Sequence, residues 1–156
     1  MDHILNRPAL GAWAAALALV LAAGPVAAQE ILSRDRAATL FAMSRDQWNA
    51  NARAAEAAGA ATARITGDGV ARMEILYADG AMFYVLPEYP TSPEGPDRIQ
   101  VTITYPPTMS RMLDAETIAA MTAENRAEMA PDYTVSVDYE SVGGGVAIFF
   151  VIGRAE

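Results

Sequence analysis

The chain has no cysteine and no lysine, and its single histidine, His3, lies among the first few residues. These gaps close off most familiar catalytic chemistry. Without cysteine there is no disulfide, no thiol nucleophile and no thiolate metal ligand. Without lysine there is no Schiff base. If the leader described below is removed, His3 leaves with it, and so do imidazole triads and imidazole zinc sites. What remains is carboxylate, tyrosine, hydroxyl, amide and arginine. Stability must come from the core alone.

Positive charge is also scarce. Eleven arginines face nineteen aspartates and glutamates, for a net charge of −8. Nucleic acid and anionic membrane surfaces recruit proteins through basic patches, so this balance excludes both as partners. The use of arginine for every basic residue, beside abundant alanine, reads as a compositional bias rather than a functional one.

The N-terminus carries the most specific signal. Arg7 precedes the apolar run of residues 9–23, Gly24-Pro25 break it, and Val26-Ala27-Ala28 put small residues where a signal peptidase reads. The expectation is a secretory signal peptide over residues 1–28, cut before Gln29, and a single α+β domain over residues 29–156. An uncleaved anchor fits less well, because fifteen apolar residues fall short of the roughly 20 that a bilayer core requires. No cysteine follows the run, which excludes a lipoprotein. Cleavage removes one carboxylate and one arginine, so the charge of −8 stands. A bacterial, periplasmic or secreted location follows, with no stable membrane span after cleavage.

Beyond the leader, Ser33 is a suitable N-cap, and residues 34–58 run without Gly or Pro until Gly59. Ala37, Leu40, Phe41, Ser44, Trp48, Ala52 and Ala55 form one stripe, which predicts a single first helix. After the turn "TGDG" (66–69), two apolar runs flank Asp79-Gly80, a strong signal for a two-residue hairpin. That turn pairs Tyr77 with Met82, Ile75 with Tyr84 and Met73 with Leu86, and puts those six on the core face. It leaves Leu76, Phe83 and Val85 on the other, where either a helix covers them or they form an exposed apolar patch.

"RIQVTITY" (98–105) and "YTVSVDYE" (133–140) alternate strictly and read as half-buried antiparallel strands. Between them a second helix opens at Asp114, with Leu113 and Ile118 at staple positions, and stops before Pro131. "VAIFFVIG" (146–153) is apolar on both faces and belongs near the middle of a sheet. The expected fold is α+β: a five-stranded, mainly antiparallel sheet with two helices, in the order α-β-β-β-α-β-β.

"PEYPTSPEGP" (87–96) has proline at every third position, the period of polyproline II. It reads first as a stiff connector and second as a contact, with Tyr89 lacking a strand of its own. Carboxylates for a hydrolase, the alternative reading, are Glu116, Glu124 and Glu128 on the second helix and Asp138 and Glu140 on a strand; solvated faces account for them. Met109 and Met112, with Met121 or Met129, would make a Cu(I) thioether site, but core filling explains them better. The sequence therefore predicts a small acidic exported binding module, non-enzymatic and without a cofactor. Its partner would be an envelope protein or a small apolar ligand, met through Leu76, Phe83, Val85 and Tyr89.

Cleavage is checked by the intact mass of the protein recovered from the periplasm. A chain beginning at Gln29 is expected, and a full-length mass in the membrane fraction would establish an anchor instead.

Overall fold

The computed structural model describes residues 33–77, 80–90, 94–111 and 113–156. The predicted signal peptide, Asp79 of the predicted turn, Pro93 and Met112 lie outside the described residues. The chain is α+β, and its described residues form one antiparallel sheet of six strands and four helices. Helices α1 (Arg34–Phe41) and α2 (Arg45–Ala57) lead into β1 (Thr62–Ile65), β2 (Ala71–Leu76), β3 (Met82–Glu88) and β4 (Arg98–Tyr105). A short α3 (Pro107–Ser110) and α4 (Ala115–Met129) follow, then β5 (Tyr133–Val142) and β6 (Gly145–Arg154). The strand order is β1-β2-β3-β4-β6-β5.

The first helix is two helices, not one. Ser44 begins a capping box: its hydroxyl accepts from the Gln47 N–H at 3.2 Å, and the Gln47 side chain accepts from the Ser44 N–H at 2.9 Å. Two backbone donors at a helix start are thereby satisfied, which favours a fresh start over continuation. The break lets α2 dock on the sheet by specific bonds. Trp48 Nε1–H donates to the Ala71 carbonyl at 2.6 Å. Asn49 donates to the Gly69 carbonyl and accepts from the Ala71 N–H, both at 2.8 Å.

The sheet has a sixth strand where five were expected. Residues 62–65 pair with β2, and the "TGDG" segment is the turn of that hairpin, with the Gly69 N–H donating to the Thr66 carbonyl. Strand β6 is also placed differently. It lies between β4 and β5, one strand in from the edge rather than at the centre. Its paired position on both sides still accounts for its apolar composition.

The β2–β3 register differs from the expected one by a single residue. Met73 faces Val85, Ile75 faces Phe83 and Leu76 faces Met82. The Tyr77 N–H donates to the Ala81 carbonyl and the Gly80 N–H to the Tyr77 carbonyl, so the connection spans three residues, 78–80. Gly80 closes it at φ +89°, a conformation that favours glycine. A one-residue slip turns every side chain of a strand to the other face. Phe83 and Val85 therefore join Met73, Ile75 and Tyr77 in the core, while Met82, Tyr84 and Leu86 turn outward.

One hydrophobic cluster unites the layers: Phe41, Trp48 and Ala52 from the first helices, Ile118 and Met129 from α4, and Phe83, Ile99, Val101, Ile148 and Phe150 from the sheet. The expected N-cap holds: Asp114 accepts from the Thr117 N–H at 2.8 Å, which lowers its pKa. Along β5 the predicted inward set holds only in part. Val135 is buried, Tyr133 and Val137 are half-buried, and Tyr139 is 48 % exposed.

The register is open to a direct test. Phe83→Ala should cost about 3–5 kcal/mol of unfolding free energy, whereas Leu76→Ala should change it by no more than about 0.5 kcal/mol. Chemical unfolding of the two variants measures both, and equal effects would contradict the register.

Candidate functional site

The four residues expected to form a contact surface do not share one. Phe83 is 0 % exposed and Val85 is buried in the same core, so neither is available to a partner. Leu76 is 65 % exposed on the opposite side of the sheet. Tyr89 stands at the end of β3, half-buried. Its hydroxyl donates to the Met43 carbonyl at 3.0 Å.

Leu76 belongs to a broad open face. The cross-strand register places Met82 beside it, Tyr84 beside Thr102, Thr102 beside Phe149, and Gln100 between Leu86 and Val151. Met82, Tyr84, Leu86, Phe149 and Val151 are half-buried, so each keeps part of its apolar surface in water. Charged pairs rim this patch. Arg72 and Arg64 meet Glu74 on one side, and Arg98 meets Glu88 on another. Asp138 and Glu140 stand exposed on β5 beyond Phe149 and Ala147. The Arg72 guanidinium lies 5.2 Å from the centre of the Tyr84 ring and lines a shallow dent of about 250 Å³ with Leu86, Gln100 and Thr102.

Both edges of the sheet carry side-chain caps. On β1 the Ala63 N–H donates to Glu56 Oε1 at 3.1 Å. On β5 Arg126 donates to the Val135 carbonyl at 3.0 Å, and the Tyr139 N–H donates to the Asp138 carboxylate at 2.8 Å. Exposed strand edges recruit other strands unless blunted, and these bonds occupy groups that a visiting strand would use.

The proline segment proves to be the β3–β4 connector. Pro87 is a buried residue of β3, so the first ring of the series belongs to a strand and not to a polyproline helix. The Asp97 N–H donates to the Glu88 carbonyl at 2.9 Å and closes the loop. Beside it, Arg45, Thr66, Asp68, Val70, Tyr89 and Pro90 line an open-mouthed cleft of about 500 Å³. The Arg45 guanidinium lies 6.0 Å from the centre of the Tyr89 ring. Burial pushes the Tyr89 phenol up to about 12, against the opposing pull of the Arg45 charge.

The carboxylates weighed for hydrolysis, Glu116, Glu124 and Glu128 on α4 and Asp138 and Glu140 on β5, are all exposed. Among the described residues no three Asp, Glu or His side chains gather as a metal site. Of the methionines, Met129 is fully buried and Met109 and Met121 are half-buried. No described helix is long and apolar enough to cross a membrane. Comparison of the chain with protein-family models, with curated proteins and with solved structures returns no match in any of the three.

Sequence reasoning missed Met82, Tyr84 and Leu86 on the open face because the register was displaced by one residue. It missed Arg45 because the capping box that begins at Ser44 was read as part of an apolar stripe; the S-x-x-Q spacing was the available signal.

Tyr89 gives a pH test. An unfolded tyrosine ionises near pH 10, whereas the folded one holds its proton up to about 12. The folded state therefore binds more protons in that window, and stability should fall as pH rises from 10 to 12. Tyr89→Phe should remove this component. At neutral pH it should cost about 0.5–1.5 kcal/mol for the lost hydroxyl bond, both read from unfolding curves across pH.

Proposed function

We propose that this chain is a small exported, non-enzymatic binding protein of a bacterial envelope, and that it docks a protein partner through the open face of its sheet. The export half of the reading rests on Arg7, the apolar run of residues 9–23 and the small residues before Gln29. The binding half rests on one observation. A face with Leu76 65 % exposed, amid half-buried Met82, Tyr84, Leu86, Phe149 and Val151, has no covering layer among the described residues.

Contiguous apolar patches rimmed by charge are the usual mark of an interaction surface. A methionine, a tyrosine and a phenylalanine near the centre supply large contact area, and the Arg and Glu pairs supply a polar rim. The dent on this face is about 250 Å³, small for a drug-sized ligand, so a broad protein surface suits it better than a small apolar molecule. The lack of cysteine and lysine, and of histidine beyond His3, supports binding rather than turnover.

A photoreactive amino acid placed at Leu76, and separately at Ala119 on the exposed side of α4, tests the docking face in intact cells. One discrete crosslinked species is expected from position 76 and none from 119. Leu76→Glu should weaken docking while changing the unfolding free energy by no more than about 0.5 kcal/mol. The same crosslinks from both positions would refute the face as a docking site.

A further inference from the structure

The cleft beside Tyr89 adjoins the open face at Leu86 and Glu88 and presents a different chemistry. Arg45 is the first residue of α2, and its Nε is buried without a hydrogen-bond acceptor. Among the described residues it has no ion-pair partner, and its guanidinium lies over the Tyr89 ring. A guanidinium carries five N–H donors in a rigid fork, and a buried N–H left without an acceptor is costly. The rest of the lining combines apolar Val70, Leu86, Pro87 and Pro90 with polar Thr66, Asp68 and Glu88.

We infer that this cleft binds a small molecule with a single carboxylate and an apolar body, the carboxylate meeting the Arg45 guanidinium. Carboxylate and guanidinium are complementary in plane and spacing, and the pair is worth more where water is partly excluded. The apolar body would lie on the prolines and against the Tyr89 ring, whose position the Met43 carbonyl bond fixes. The neighbouring carboxylates set the charge limit. Glu88 is engaged by Arg98 and Gln100. Asp68 stands exposed at the turn between β1 and β2 and would repel a second negative group. Polyanions such as nucleotides are thereby disfavoured, and monocarboxylates are selected. This reading does not depend on the docking face.

Amide NMR titration of the purified protein with benzoate, octanoate and uncharged benzamide tests it. Saturable shifts centred on Thr66, Val70 and Glu88 are expected with at least one carboxylate and not with benzamide. Arg45→Gln should weaken binding at least about tenfold, the scale of one charge-assisted bond. Arg45→Lys, which keeps the charge and loses the fork, should fall between. Absence of saturation below about 10 mM (an affinity too weak to count as a site), equal binding of benzamide, or full binding by an Arg45→Gln protein that melts like the parent would each overturn the proposal. Should Arg45→Gln fail to fold, the contrast between benzoate and benzamide on the unaltered protein decides it.

Discussion

The pairing of Phe83 with Ile75 governs the rest of the molecule. With Phe83 at 0 % exposure, its ring sits edge-on to Tyr77 at 6.5 Å and belongs to the cluster that also holds Trp48, Ile99 and Phe150. A large aromatic at such a position cannot move by one residue without exposing itself and inserting a neighbour of different shape. The register of β3 then fixes β4, β4 fixes β6, and β6 fixes β5, because each ladder is continuous. The inner face is chosen once, at Phe83, and the outer face follows from it.

That choice leaves an unusual division of labour between the two faces. Helices α1, α2 and α4 all feed the inner cluster. The outer face keeps Leu76, Tyr84 and Phe149 with water on one side, while the edges are blunted by Glu56, Arg126 and Asp138. Edge protection and an uncovered apolar face are opposite policies toward association. Together they favour contact through side chains and oppose contact through backbone pairing, which would lead to indiscriminate strand addition.

Much of this architecture was legible in the sequence. Strand β4 alternates so strictly that its inner set of Ile99, Val101, Ile103 and Tyr105 is buried as read. Asp114 and Pro131 bracket α4, and Gly80 adopts the positive φ that its Asp-Gly context implied. The register was not legible, because Asp-Gly serves both a two-residue turn and a three-residue turn closed by glycine, and local sequence does not separate them. Only burial of Phe83 against distant strands does. Strand β1 escaped notice for a related reason. It is four residues long with a mostly exposed pattern, so it carries no period-two signal and exists by pairing with β2. Tertiary pairing, not propensity, makes it a strand.

The proline segment shows how a connector can matter without being a ligand. Gly95 lies so close to α1 that an added Cβ would come within 2.5 Å of the Phe41 carbonyl, and Arg154 at the end of β6 donates to that same carbonyl at 2.8 Å. Phe41 in turn stacks on Tyr133 at 5.0 Å between ring centres, with the Arg154 guanidinium 5.3 Å from its ring. The loop, the first helix and the open end of the β5–β6 pair thus converge on one residue. At its other end the loop leaves β3 through Tyr89, which is tied to Met43 in the α1–α2 break. The two described ends of the loop, at Tyr89 and Gly95, therefore strap the helical layer to the sheet at two points. The cleft beside Arg45 takes its shape from that strap, because the break that begins α2 and the strand end that carries Tyr89 are its opposite walls.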